Sequence, residues 1–302
     1  MPTNGRVSLI VNAESGNLDM DEVLPQVFEA FPDRPPLARF VSPEANAFQL
    51  AAEEVADGAE IVVAVGGDGT VSQVASAVAH ANAALGVIPV GTANAFARAL
   101  AIPLDLPAAA QALHSERRRT LDLGFCHLAG GRSEPFALLA AIGYEAEVVR
   151  QSTRERKELL GAFAYLYTGL ELLAALTPFH VEIEAGHRSI ATTASAVTVA
   201  NAAPPTSPLA QGLGAVIPDD GLLEVTIFSP PSPADAFTRM VELFGSAVLD
   251  LRLWREDVIA FRTPRLRLRT SPQQPLAIDG EMRHAEAPEF SVAPRCLRVV
   301  IP

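Results

Sequence analysis

Lysine is almost missing from this chain of 302 residues: of its 23 basic side chains 22 are arginine, and Lys157 stands alone. That excludes a phosphate loop of the G-x-x-x-x-G-K-[ST] type, because no lysine follows a glycine-rich stretch near the N-terminus. Cysteine is nearly as scarce. Cys126 and Cys296 have no zinc-like spacing and make no disulfide framework, which fits a reducing compartment and two small buried apolar side chains. No apolar run reaches the roughly 18 residues that a membrane-crossing helix needs, and the first run, Arg6 to Asn12, is too short for a signal-peptide core and reads as a strand. Excess positive charge is also lacking. The net charge of −12 opposes long-range attraction to nucleic acid or to an anionic membrane, so no nucleic-acid partner is expected and membrane contact would need a local patch.

What is present is a globular composition, 49% apolar and 19% charged, long enough for two domains. Three β-branched runs come early, "RVSLIVN" at 6–12, "AEIVVAVGG" at 59–67 and "LGVIPVG" at 85–91, each followed by a helical pattern at 18–30, 71–80 and 93–101. Such alternation predicts βαβ units and a parallel sheet, with ligands bound at the carboxyl ends of the strands. After "RRRTLDLGF" the pattern changes to "PFALLAAIG", "FHVEIEA", "ASAVTVAN", "LLEVTIF", "RLRLRT" and "FSVAPRCLRVVIP", with helices expected only near 153–176 and 233–253. The reading is an α/β N-terminal domain over 1–121 and a mostly antiparallel β domain over 122–302, whose last strand is free to return to the first domain.

Polar loops follow the strand ends. In "VAVGGDGTVSQV" the glycines Gly66, Gly67 and Gly69 let backbone N–H groups approach phosphate oxygens at a helix start, where Asp68 is useful as a ligand of a phosphate-bridging cation, as a proton acceptor, or simply as a cap. In "PVGTANAFARAL" Gly91, Thr92 and Asn94 lie at the same sheet edge, with helix capping as the plainer role. "NAESG" brings Asn12, Ser15 and Gly16 to that edge. Near the C-terminus "LAIDGEMRHA" carries a hairpin signal in Asp-Gly, followed directly by Glu281.

Taken in order, "GGDGTVSQV", "PVGTANAFARAL", "PDDGLLEV" and "IDGE" resemble the diacylglycerol kinase catalytic-domain family, bacterial lipid kinases that also resemble sphingosine and ceramide kinases. "GGDGT" alone is shared with NAD kinases and phosphofructokinases; the four together are specific, and they span nearly the whole chain. The resemblance implies an NAD kinase/phosphofructokinase-like nucleotide-binding domain, a β-sandwich second domain, and ATP in the cleft between them. It implies nucleotide contacts from Asn12, Ser15, Gly16, Ser42, Gly66, Gly67, Asp68, Gly69, Thr70, Val71, Ser72, Gln73, Gly91, Thr92 and Asn94. Glu281 matches a proton acceptor, partly desolvated, and Asp68 a group orienting metal-bound phosphates. Asp220 with the carbonyls of Ile217 and Leu222 matches a magnesium site, and Asp122 an acidic network.

Three departures stand out: Gln73 where the family usually has Glu, Ala95 where it has Asp, and Ala13 in place of the Pro of "NPxSG". The first two remove carboxylates near the phosphates. The expected function is ATP- and Mg2+-dependent phosphorylation of a diacylglycerol-like lipid by a cytoplasmic protein that touches the membrane peripherally, and a homodimer is compatible with the sequence. The segment 150–179, with Arg150, Arg154, Arg156 and Lys157 leading into Phe163, Tyr165 and Tyr167, is either an interfacial helix or, more simply, core. The alternatives are a soluble-metabolite kinase of the NAD kinase type and a catalytically impaired lipid-binding or regulatory protein.

Overall fold

The computed structural model describes residues 6–16, 19–32, 35–151, 176–204, 207–212, 214–232, 234–236, 238–239, 242 and 257–302. The helices expected at 153–176 and 233–253, and with them the basic and aromatic side chains proposed for a membrane interface, fall largely outside these residues. Among the described residues no helix is long and apolar enough to cross a membrane. The chain divides into two compact units, Met1–Leu123 with Arg295–Pro302, and Gly124–Pro294.

The first unit runs β1 (Val7–Val11), α1 (Met20–Glu29), β2 (Leu37–Phe40), α2 (Ala47–Ala56), β3 (Ile61–Gly66), α3 (Asp68–Val78), β4 (Ala84–Pro89), α4 (Ala95–Ala99) and α5 (Leu106–Ala112), and it includes the start of β5 (Arg118–His127). Its strands are parallel in the order β2-β1-β3-β4. Every residue of β3 and β4 is buried, as expected of continuous apolar runs covered on both faces. Leu9, Val11, Val63, Val65 and Ile88 from the sheet pack with Val23 and Val27 of α1. Polar side chains start the helices: Asp19 accepts the N–H of Asp21, Asn46 and Gln49 form a reciprocal capping box, and Asp105 accepts from Ala108.

The second unit contains the end of β5, β6 (Ser133–Phe136), β7 (Leu139–Gly143), α6 (Tyr144–Gln151), β8 (Phe179–Ala185), β9 (Arg188–Ala194), β10 (Ala196–Ala200), β11 (Leu223–Phe228), β12 (Val258–Thr263), β13 (Arg265–Ser271), β14 (Leu276–Ile278), β15 (Glu281–Arg283) and the start of β16 (Glu289–Val300). The end of β16 belongs to the first unit, where Val299 pairs with Leu85 in parallel. One sheet is ordered β12-β11-β10-β7-β14-β15, and β16, β13, β8 and β9 pair antiparallel in another. Their inner faces share a core of Val197, Val199, Val225, Ile227 and Phe261 against Val181, Ile183, Leu266, Leu268 and Phe290. The α/β unit and the antiparallel sandwich are those the sequence led us to expect. The single strand read at 135–143 is instead two, β6 and β7, because the chain bends at Ala137 and Leu138 to give its N–H groups to Asp279.

One charged cluster within the first unit is needed by its fold. Glu54, on α2, has a fully buried side chain; it accepts from Ser8 and Arg6 at 2.6 Å and from Arg39 at 2.9 Å. Burial alone would push its carboxyl upward, but the Ser8 hydroxyl and the two guanidinium groups outweigh it and hold the carboxyl below the usual range. The cluster staples α2 to β1 and to the short edge strand β2. Glu54→Ala leaves Arg6 and Arg39 without this partner and should cost roughly 2–3 kcal/mol, at or below the buried-pair range because both arginines are about a third exposed; urea unfolding checks it.

Candidate functional site

β1, β3 and β4 are neighbours in the parallel sheet, so the polar segments that follow them leave from one edge. Asn12 N donates to the Val65 carbonyl at 3.0 Å, and Val90 N to that of Gly66 at 3.1 Å. Glycine lets the three segments touch backbone to backbone. A Cβ on Gly16, which holds φ at +72°, would lie 1.9 Å from the Val90 carbonyl oxygen, and a Cβ on Gly91 would lie 2.5 Å from the Gly67 Cα. Asn12 Nδ2 donates to Thr70 Oγ1 at 3.1 Å, and the Thr70 side chain lies over Gly66.

The structure thus brings together Asn12, Gly16, Gly66, Gly67, Asp68, Thr70, Gly91 and Asn94. Gly67, the N-cap of α3, offers no side chain to cap it, a helix start suited to an anion. Val71 points into the core, Ser15, Ser72 and Gln73 are half-buried, and Thr92 is exposed. Ser42, after the edge strand β2, is exposed and bonds Glu44 at 2.8 Å.

Two side chains take roles the sequence did not reveal. Asn94 sits at the N-cap position of α4 in a left-handed conformation and does not cap; its amide folds back, accepting from Gly91 N at 3.0 Å and donating to Gly91 O at 2.8 Å. The cap comes from Asp68, 28 residues earlier, whose Oδ1 accepts the Phe96 N–H at 3.0 Å. Burial pushes the Asp68 carboxyl above the ordinary aspartate range, while the N–H groups of Phe96, Ala95 and Asn94 pull it down. The carboxylate expected to orient metal-bound phosphates therefore also ties the second glycine loop to the first.

In the second unit Asp279 and Glu281 flank the β14–β15 turn. Asp279 accepts the N–H groups of Ala137, Leu138 and Leu139 at 2.8–3.0 Å. Glu281 is exposed, and its Oε2 lies 2.9 Å from the Arg283 guanidinium, which also holds Glu134. This corrects the expectation of a partly desolvated base: Glu281 is exposed and ion-paired with Arg283.

The expected magnesium donors do not fit a resident divalent cation. Asp220 Oδ1 accepts the Leu222 N–H at 3.0 Å, and its Oδ2 faces Arg262 at 3.5 Å, so a guanidinium already supplies positive charge beside Asp220. Asp122 is buried and accepts the Arg295 N–H at 2.7 Å. No three His, Cys, Asp or Glu side chains gather as a metal site among the described residues.

Residues 6–126 match the diacylglycerol kinase catalytic domain, and residues 139–301 match the YegS C-terminal NAD kinase beta sandwich-like domain. The chain belongs to the diacylglycerol kinase catalytic-domain family. A family relative from Pseudomonas putida, named "Probable lipid kinase YegS-like", is 32% identical over 263 residues, 85% of this chain and 82% of that one. An uncharacterised Synechocystis protein is 37% identical over 246 residues, 82% of this chain, which spans only 56% of that protein's length. The crystal structure of a diacylglycerol kinase from Bacillus anthracis str. Sterne has a TM-score of 0.72 at 18% identity, covering 99% of this chain and 97% of that one.

Within this family architecture Glu145, half-buried at the start of α6, has a carboxyl that receives the Thr198 hydroxyl of β10. Burial pushes its pKa up to about 7 against the lowering effect of that hydroxyl. A helix-start glutamate looks like dipole matching in the sequence, and no local pattern marks its partial burial. Between the ordinary glutamate value and about 7 the folded chain holds a proton that the unfolded chain has released, so this group's contribution to stability is full below that window and is lost as pH rises through it. Glu145→Gln should flatten the fall in urea midpoint between about pH 5 and about pH 8. Gly91→Ala should destabilise by about 1–3 kcal/mol, because the new methyl forces the two glycine loops apart; denaturant unfolding measures it.

Proposed function

We propose that this chain is an ATP-dependent lipid kinase that transfers the γ-phosphate to the hydroxyl of a diacylglycerol-like lipid. One observation carries the nucleotide half of the reading: three glycine-bearing loops meet at the carboxyl edge of the parallel sheet, beside an α3 N-terminus with no side-chain cap. First-turn N–H groups of α3 and the hydroxyl of Thr92 are suited to phosphate oxygens, and the missing Cβ atoms let the backbone come close. Magnesium accompanies the nucleotide as part of the substrate and supplies charge neutralisation on the phosphates. The names of the Pseudomonas relatives support a lipid acceptor.

In the step proposed, the acceptor oxygen forms a bond to the γ-phosphorus as the bond from that phosphorus to the bridging oxygen breaks, releasing ADP. The hydroxyl proton goes to Glu281. Arg283, 2.9 Å away, holds the Glu281 carboxylate in place at the start of β15. Asp68 acts by position, fixing the loop that carries Gly91 and Thr92. The acceptor is poorly soluble, so the enzyme is read as a cytoplasmic protein working at a membrane face, with the contact confined to a limited patch because the net charge is −12.

The test is transfer from γ-labelled ATP to diacylglycerol in mixed micelles. Label in the lipid is expected, with Glu281→Gln lowering kcat/KM by about 100-fold or more while the KM for ATP stays near that of the parent. Label only in NAD would replace the reading with a soluble-metabolite kinase. Nucleotide binding without any transfer would favour the impaired form that Gln73 and Ala95 suggest, and full activity of the Glu281 variant would remove its role as base.

A further inference from the structure

Arg262 lies on β12 with Phe261 beside it in the core, so strand alternation turns it to the opposite face of its sheet. Its cross-strand partner on β11 is Glu224, a carboxylate only 1% exposed. An ion taken so far out of water needs a counter-ion and hydrogen bonds, and Arg262 Nε supplies them at 2.6 Å. The rest of the guanidinium reaches over the segment Ala215–Leu222: one amino group lies 3.5 Å from Asp220 Oδ2, and the other donates to the Ala215 carbonyl at 3.2 Å. Asp220 Oδ1 closes the turn by accepting the Leu222 N–H. Both ends of the loop are thereby attached to one rigid fork that is itself anchored by a buried carboxylate.

We propose that Arg262 is the resident cation of this loop, pinning Ala215–Leu222 to β11 and β12, and that the loop takes no divalent metal. A magnesium or calcium ion at Asp220 would need several oxygen ligands and would sit beside a fixed positive charge already on one of them. A planar fork with five donors in fixed directions is suited to serve a buried carboxylate, a loop carboxylate and a carbonyl together, a geometry that a compact ammonium meets poorly. The divalent cation requirement of the protein is then limited to the ion that travels with the nucleotide. This inference stands on the chain's own contacts, and its test involves neither nucleotide nor lipid.

The experiment is thermal unfolding of the full chain with EDTA, with Mg2+ and with Ca2+, together with Tb3+ luminescence titration. The parent protein is expected to keep its Tm within about 1 °C across the three conditions, and Asp220→Asn is expected to bind Tb3+ as the parent does. Arg262→Ala is expected to lower Tm by roughly 5 °C or more and to regain part of that with Mg2+, a gain absent once Asp220→Asn is added. A Tm of the parent that rises with Mg2+ and loses the rise in Asp220→Asn would overturn the proposal. So would Tb3+ binding that Asp220→Asn abolishes, or an Arg262→Ala variant as stable as the parent. The parent and Asp220→Asn comparisons decide the matter even if Arg262→Ala does not fold.

Discussion

The contact between the backbones of Gly67 and Gly91 fixes the edge of the parallel sheet on which the nucleotide reading depends. Two loops after adjacent strands would otherwise be separated by side chains, and the N–H groups of each would face its own neighbours. With Cβ atoms absent at the point of contact, one polar surface forms from both. It is held a second time by Asp68. A helix of five residues such as α4 has little stability of its own, so an anionic cap from the preceding loop and the burial of Phe96 are what keep it in place. Burying that carboxylate is costly, and the N–H donors at the start of α4 offset the cost.

Arginine performs the cross-linking throughout. Arg39 joins Glu53 and Glu54, Arg239 joins Asp257 and Glu242, Arg283 joins Glu134 and Glu281, and Arg262 joins Glu224 and Asp220. In each case one guanidinium serves two carboxylates, a geometry that a compact ammonium meets poorly. A chain with 35 acidic residues and 23 basic ones gains from such sharing, since there are fewer cations than anions to place. Partners rather than residue type therefore decide what each carboxylate does: Asp279 organises a bend, Asp68 caps a helix, and Glu281 stays at the surface beside Arg283.

The central strands of the parallel sheet were legible because a strand covered on both faces must be apolar throughout, and β3 and β4 are. Their glycine loops were legible for the same local reason. β2 and α2 were not singled out, because Leu37–Phe40 is a half-exposed edge strand with no apolar run to mark it, and the buried carboxylate of α2 reads as surface charge until Arg6, Ser8 and Arg39 are brought to it. The same limit applies at the sites. Asp68 meeting Phe96, Asp279 meeting Ala137 and Arg262 meeting Asp220 join residues 28 to 142 positions apart, and spacing along a chain carries no signal for such contacts. Asp-Gly between apolar residues was correctly a turn, but a turn signal does not show that its aspartate also bends a neighbouring strand.

The departures from the family pattern then acquire a physical sense. Ala95 is the first residue of α4, and its N–H is one of the groups that lower the Asp68 carboxyl. An aspartate at 95 would place a second negative charge beside a carboxylate whose pKa burial already raises, and one of the two would have to bind a proton or a cation. With alanine there, Asp68 can cap α4 alone. Gln73, on the helix that begins at Asp68, removes charge in the same direction while keeping a hydrogen-bonding side chain. Less negative charge around the loops means less positive charge needed to balance it, and in the second unit Arg262 supplies that charge at Asp220. The Asp68 cap and the guanidinium at Asp220 are thus contacts of one kind: in each, a carboxylate is met by groups that the polypeptide supplies itself.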